Sequence, residues 1–285
     1  MSAFLAIDWG TTNRRIYRIE DGAVVATHRD DRGVKAMAAA DYPAEIASIR
    51  ARFGDLPVLM AGMVGSTIGW REAAYLPLPA TLHDLAEACA AVDPRTAIVP
   101  GLCDRSDVMR GEEVQLLGAH GAGLVPADAL LCQPGTHCKW ARMAGGAITG
   151  FTTAMTGELY DLLRRESVLA AQLSAPVTVG AAFAAGVGEG ARRDLPASLF
   201  GVRARGVLGA LPLADAASYA SGILIGADTA ARIAVGEHVH VHVLADAALG
   251  DLYCAAIRHL GGTADRIDSH AAFVAGITAI WEQRR

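Results

Sequence analysis

Hydrophobic residues open this chain as an unbroken run, Leu5-Ala6-Ile7, which ends in Asp8 and reads as a buried strand. Polar and apolar positions then alternate from Arg15 to Glu20, predicting a second strand, and a third follows near 23–28. Between the last two, Asp21-Gly22 supplies the left-handed residues of a two-residue hairpin turn. The first region is therefore a β-meander over 3–9, 14–20 and 23–28. Helical spacing takes over at Ile46, Ile49 and Phe53, with Pro43 at the helix start and Gly54 as its stop. A short strand at Val58-Leu59-Met60, a helix from Leu82 to Val92 and a strand at Ala97-Ile98-Val99 complete a βββαβαβ order. A further helix begins at Gly111-Glu112, and a domain boundary is expected near Leu117-Gly118.

The pattern then restarts. Strands are expected at 129–133, 138–143 and 147–152, after which the spacing is almost wholly helical from Thr156 to about Val235. Ala216 to Val235 fits one long buried helix whose small residues, Ser218, Ser221, Gly222 and Gly226, would admit either a nucleotide or another helix. Two regions that each open with a meander predict an α/β fold of two lobes, 1–117 and 118–285. Each lobe would be a mixed sheet flanked by helices, with a nucleotide cleft between them.

Composition narrows the partners. The chain has 285 residues, 52% of them hydrophobic, enough for two domains with real cores. A formal net charge of −5, without Lys/Arg clusters, argues against a nucleic-acid groove. No apolar run reaches the roughly 18 residues that span a bilayer, and no leader segment is evident, so no membrane role is expected. Five scattered cysteines without a C-x-x-C pair suit a reducing cytoplasm.

The chemistry begins at Asp8, where the first strand opens into Gly10-Thr11-Thr12-Asn13. Backbone N–H groups and hydroxyls of such a turn can hold phosphate, and Asp8 stands where Mg²⁺ could be held through water. No helix pattern follows, so this is a strand-turn-strand phosphate loop and not a G-x-x-x-x-G-K-[ST] loop. A second unit of the same kind runs from Ala129-Leu130-Leu131-Cys132 through Gly135-Thr136 to Lys139-Trp140. Two loops of this kind can share one nucleotide, ATP, and closure around it would exclude water.

Several blocks resemble the 2-keto-3-deoxygalactonate kinases of the sugar-kinase and actin-like ATPase superfamily. They are Ile7-Asp8-Trp9-Gly10-Thr11-Thr12-Asn13, Gly62-Met63-Val64-Gly65-Ser66 with Gly69-Trp70, and Asp107-Val108-Met109-Arg110-Gly111-Glu112-Glu113. Pro134-Gly135-Thr136-His137 with Lys139-Trp140, Met155-Thr156-Gly157-Glu158-Leu159, and Ser221-Gly222 with Leu224-Ile225-Gly226 continue the match over nearly the whole chain. The chain departs from the pattern at Ala74, at Cys138 and at Ala245-Asp246. The resemblance implies two actin-like, ribonuclease H-like lobes and MgATP-dependent phosphorylation of the small sugar acid 2-dehydro-3-deoxy-D-galactonate, within D-galactonate breakdown. It leaves open a homodimer, a kinase for another sugar or sugar acid, and an actin-like ATPase switch that phosphorylates no small molecule.

Phosphoryl transfer needs positioned donors more than covalent chemistry. Asp8 would orient the metal. Gly10, Thr11, Thr12 and Asn13 with Gly135 and Thr136 would meet phosphate oxygens, Lys139 could add a cation, and Gly222 and Gly226 could approach the nucleotide. The base for the acceptor hydroxyl is expected at Glu112, ahead of Glu113 and Asp107, because it opens a helix after a glycine. Gly65, Ser66 and Trp70 would line the sugar-acid pocket, and Arg71 or Arg110 would meet its carboxylate.

Two features carry less. Gly186-x-Gly188-x-Gly190 lacks a preceding strand and is no dinucleotide fingerprint. His238, His240 and His242 alternate with valines along one strand face. No carboxylate shares that face within the run, so a half-exposed strand is expected there rather than a metal centre.

Overall fold

The computed structural model describes residues 3–192, 194–233 and 239–284. His238, and Val235 at the expected helix end, lie outside them. The meander forms as the pattern predicts: β1 (Ala3–Trp9), β2 (Arg14–Glu20) and β3 (Ala23–Asp30) pair antiparallel in order. Asp21 and Gly22, at φ 47° and 80°, make its tight turn, a pair of left-handed conformations that Asp and Gly tolerate best. α1 (Tyr42–Phe53) follows and ends at Gly54, whose φ is 114°. β4 (Val58–Gly62), fully buried, lies parallel to β1, as a strand buried on both faces must read as a continuous apolar run.

β5 (Leu76–Pro77) precedes α2 (Leu82–Glu87), which stops short of the helix expected to reach Val92. Ala90–Asp93 is instead β6, an antiparallel edge strand on β7 (Thr96–Ile98). Alanines here favour helix locally, and pairing with β7 overrides that preference. The six-stranded sheet runs β3-β2-β1-β4-β7-β6. β8 (Leu102–Cys103) and β9 (Val108–Met109) join β5 in a small sheet, and α3 (Glu112–Gly121) follows.

A second sheet is built from β10 (Ala129–Gln133), β11 (Cys138–Ala144) and β12 (Ala147–Ala154), with β13 (His240–Leu244) and β14 (Thr263–Ile267) added parallel to β10. Its order is β12-β11-β10-β13-β14. The helical stretch resolves into α4 (Thr156–Glu166), α5 (Ala181–Gly190), α6 (Leu195–Val207) and α7 (Leu213–Ala230), with α8 (Ala247–His259) between the last two strands. α9 (Ser269–Gln283) returns to the first sheet, where Phe273 meets Tyr17 and Trp281 stacks on Phe4 at 4.8 Å.

The compact units are therefore discontinuous. One holds Met1–Asp128, Ala141–Phe151 and Ser269–Arg285, and the other Ala129–Trp140 and Thr152–Asp268. The boundary expected at 117/118 falls inside α3, because that helix packs backbone to backbone on α9. A Cβ on Gly118 would stand 2.2 Å from the Ala272 carbonyl oxygen, and one on Gly276 2.1 Å from that of Val114. A linear reading could not see a helix returning from the far end of the chain. Among the described residues, no helix is long and apolar enough to cross a membrane.

Candidate active site

In the first unit three segments converge at the C-terminal ends of β1 and β4. Trp9 pairs with Gly62, and a Cβ on Gly62 would stand 2.7 Å from the Trp9 carbonyl oxygen. Gly111 is equally close from the other side, its own Cβ position 3.1 Å from the Gly62 Cα. Both glycines have positive φ, 94° and 109°, so neither the approach nor the turn would accept another residue without strain. Glu112, the next residue after Gly111, is thereby brought near Asp8.

The first loop leaves β1 through a tight turn in which the Gly10 N–H donates to the Asn13 carbonyl at 2.9 Å. The carbonyls of Gly10, Thr11 and Thr12 accept from Val34, Lys35 and Gly33, which turns them away from the loop's outer face. Among the described residues the amides of Thr11 and Thr12 donate to no backbone carbonyl, leaving them available to a ligand's oxygens. A pocket here is lined by Asp8, Gly10, Thr11, Thr12, Asn13, Arg14, Arg15 and Arg29. Arg14 is committed to Asp30 and Glu45, at 2.9 and 2.6 Å, whereas Arg15 pairs across the strands with Asp8 and contacts His270. The cations Arg15 and Arg29 were not legible as site residues, since strand pairing places them beside the loop.

Burial pushes the Asp8 carboxyl up to about 6; Arg15 opposes the shift and nearby Glu112 adds to it. A cation at Asp8 would reverse that cost, so the carboxylate and the loop oxygens suit a hard, oxygen-seeking divalent ion. Glu112 is half-buried, its Oε2 accepting from the Arg110 N–H at 3.0 Å. Glu113 is fully buried, with both carboxyl oxygens on the Gly111 N–H at 2.8 and 2.7 Å. Burial, then Glu112, pushes Glu113 up to about 8 against that hydrogen bond, so it is mostly a neutral acid near pH 7. Asp107 is spent differently, its Oδ1 accepting from the Val108 N–H at 2.8 Å in an exposed turn.

The segment expected to meet the sugar acid lies against the same edge. Ser66 turns its hydroxyl back to the Met63 carbonyl at 2.7 Å. Trp70 is half-buried with one face stacked on Tyr42, ring centroids 5.5 Å apart and planes 4° from parallel, so much of its surface serves packing. Arg110 is 7% exposed; its Nη2 donates to the Ala73 carbonyl at 2.8 Å and its guanidinium lies 4.1 Å over the Tyr75 ring. Its Nη1 is buried without a hydrogen-bond partner among the described residues, and a Cβ on Gly65 would come within 2.9 Å of it.

In the second unit, Pro134–His137 links β10 to β11 and is held by the start of α4. The Thr136 carbonyl accepts from the Glu158 N–H at 2.9 Å, and His137 meets Glu158 at 2.7 Å. A Cβ on Gly157 would stand 2.3 Å from the Gly135 carbonyl oxygen, so the loop rests directly on that glycine. Beneath it Cys132 and Cys138 place their sulfurs 3.6 Å apart, both fully buried. Lys139 is 5% exposed and donates to Thr153 Oγ1 at 2.9 Å.

Beside this loop an apolar pocket is lined by Gly135, Thr156, Gly157, Tyr160, Ser221, Leu224, Ile225, Leu249 and Tyr253. Gly222 and Gly226, expected to approach the nucleotide, instead face α5. Cβ atoms there would stand 2.2 Å from the Phe183 carbonyl oxygen and 2.4 Å from that of Val187, so helix packing occupies the small-residue face. The neighbouring Ser221, Leu224 and Ile225 reach the pocket. Asp246, within the departure at Ala245-Asp246, caps α8 by accepting from the Leu249 N–H at 3.1 Å.

Sequence reading also missed Asp228. It is 8% exposed and accepts from Trp140 Nε1 at 3.1 Å, Thr156 Oγ1 at 3.0 Å and Tyr253 OH at 3.2 Å. One carboxylate thus ties β11, the start of α4 and α8 to α7. Its partners lie 25 to 88 residues away in sequence, and no local pattern marks it.

The model of the 2-keto-3-deoxy-galactonokinase family matches residues 8–280. Over 286 residues the chain is 37% identical to 2-dehydro-3-deoxygalactonokinase of Escherichia coli K12, with 97% of each sequence covered. The crystal structure of a Sinorhizobium meliloti protein described as a 2-dehydro-3-deoxygalactonokinase superposes with a TM-score of 0.87 at 35% identity, covering 97% of both chains. Component A of (R)-2-hydroxyglutaryl-CoA dehydratase from Acidaminococcus fermentans shares the fold alone, at 14% identity and a TM-score of 0.52 over the whole of both chains. The α/β architecture expected from the sequence is the one found.

Proposed function

Because the chain belongs to the 2-keto-3-deoxy-galactonokinase family, we propose that it moves the γ-phosphoryl group of ATP to the terminal hydroxyl of 2-dehydro-3-deoxy-D-galactonate, giving the 6-phosphate and ADP. The observation that carries the reading is the meeting of Asp8, the free amides of Thr11 and Thr12, and Glu112 at one strand edge. These are the parts phosphoryl transfer requires: donors for phosphate oxygens, an acidic metal anchor and a proton acceptor.

Asp8 would hold Mg²⁺, the divalent ion that its buried carboxylate suits. When bound, this ion offsets negative charge on the phosphates. Gly10 to Asn13 hold phosphate oxygens through N–H and hydroxyl donors, and in the second unit Gly135 and Thr136 offer donors of the same kind. Arg15 and Arg29 add positive charge beside the first loop. Glu112 takes the proton of the acceptor hydroxyl as its oxygen bonds to phosphorus and the bond to ADP breaks. Glu113, held as a neutral acid by burial, fixes the Gly111 turn that aims Glu112. Arg110 offers its unpartnered Nη1 to the substrate carboxylate near Gly65, a charge-assisted hydrogen bond in a partly apolar wall. Ser66 and Trp70 shape the same wall. Tyr160, Leu224, Ile225, Leu249 and Tyr253 form the nucleobase pocket, where ring faces and aliphatic carbons match a flat heterocycle.

The test is coupled ADP release in the presence of Mg²⁺ against a panel of 2-keto-3-deoxy sugar acids, plain sugars and water alone. Turnover confined to the 2-keto-3-deoxy acids is expected. Equal ADP release with water alone would point to an ATPase and overturn the assignment.

A further inference from the structure

β13 and β14 bring together what the sequence keeps apart. His240 and His242 share one face of β13, two residues apart, and the parallel register sets His242 beside Asp265 and His240 beside Thr263. Asp265 Oδ1 lies 3.0 Å from His240 Nε2 and 2.8 Å from His242 Nδ1. The carboxylate missing from the histidine run is supplied by the neighbouring strand. Among the described residues, this is the cluster in which three such groups hold their donor atoms within 4.8 Å of one another.

We propose that His240, His242 and Asp265 form a binding site for a divalent transition ion of the zinc class. Two imidazole nitrogens and one carboxylate oxygen on a single face are a ligand set that such ions favour over Mg²⁺, which seeks oxygen. Two further observations point to a ligand. His242 is 8% exposed, and its buried Nδ1 faces the Asp265 carboxylate at 2.8 Å with no other polar partner among the described residues. His240 has its other ring nitrogen on Thr263 Oγ1 at 2.8 Å, the kind of outer contact that fixes a ligating ring's orientation. Ligand atoms around a tetrahedral zinc ion lie roughly 3.4 Å apart, so a small outward rotation of the three side chains opens the space.

The site is separate from the second unit's Pro134–His137 loop. His240 and Thr263 begin their strands, whereas the Pro134–His137 loop leaves the opposite end of the parallel strand β10. A bound ion would clamp β13 to the edge strand β14.

The probe is Co²⁺, titrated into tag-free, chelator-treated full-length protein. Expected are one equivalent bound with visible d–d absorption, displacement by Zn²⁺, and a Zn²⁺-dependent rise in Tm. His240→Ala and Asp265→Asn, both at exposed side chains, should weaken binding at least tenfold and abolish the rise in Tm while MgATP-dependent turnover stays unchanged. Thr263→Ala should weaken it about tenfold, as loss of an outer partner does. No absorption at micromolar Co²⁺, or identical spectra in wild type and both variants, would overturn the proposal.

Discussion

The two loops proposed to hold phosphate share a strand-turn-strand plan but are secured by opposite means. The first is an open turn ringed by ionisable groups, with Asp8, Arg15, Arg29 and Glu112 beside it. The second rests on backbone, with Gly157 beneath Gly135, an apolar pocket alongside and one buried carboxylate, Asp228, binding the elements around it. The first region therefore presents charge and the second presents shape. Substitutions in the first should change turnover at little cost to folding, and those in the second should change stability or nucleotide affinity.

The sharpest test is Asp8→Asn, which should lower kcat on the order of 10³-fold by removing the metal's anchor. The same change should raise the Tm of the nucleotide-free protein at pH 7.5. Since the folded pKa of about 6 exceeds the unfolded value, the ionised side chain destabilises the fold above pH 6. Its contribution is favourable below the unfolded value of 3.8 and is lost as pH rises through about 6, so the Tm advantage of the variant should shrink on acidification. The difference is worth about 1–3 kcal/mol. Thermal scans from pH 4 to 8 check it, and an advantage that grows toward low pH would refute the sign.

Glu112→Gln should slow transfer about 10²- to 10⁴-fold with both KM values little changed, as steady-state kinetics will show. If Glu113→Gln proved the slower enzyme, the base would have to move one residue along α3.

In the second region Asp228→Ala would strand the donors of Trp140, Thr156 and Tyr253. It should cost about 3 kcal/mol or more in denaturant unfolding, provided the variant folds. Gly157→Ala drives a methyl into the Gly135 carbonyl and should raise the ATP KM about tenfold with a smaller effect on the sugar-acid KM. An equal rise in both would break the contrast between the regions. The smallest effect belongs to Glu113→Gln, within about 0.5 kcal/mol of wild-type stability, because the amide oxygen can accept from Gly111 as the neutral acid does.

What was legible in the sequence depended on range. The meander, the Asp21-Gly22 turn and the Gly54 stop are set by adjacent residues, and the pattern gives them directly. The end of α2 was misread because Ala88, Ala90 and Ala91 favour helix locally and only pairing with β7 turns 90–93 into a strand. Gly222 and Gly226 announced a close approach truthfully, but sequence could not say that α5 makes it. The Asp228 contacts and the union of His240, His242 and Asp265 need chain segments far apart to meet. In the candidate site, Asp8 and Glu112 are residues the sequence singles out and the fold sets near one another, whereas the neighbouring cations and the unpartnered nitrogen of Arg110 emerge only with the fold.

The contact of α3 with α9 has a consequence for the order in which the molecule matures. α3 carries Glu112, and the helix that buttresses it through Gly118 and Gly276 is synthesised roughly 150 residues later. On the ribosome, the first sheet must wait with Phe4, Tyr17 and one side of α3 uncovered while the whole second unit emerges. Such a long-range closure is slow, and the waiting surface is apolar. A nascent chain would thus gain the support of Glu112, the proposed base, only at the final helix, and a stalled chain would hold both loops with that carboxylate unsupported.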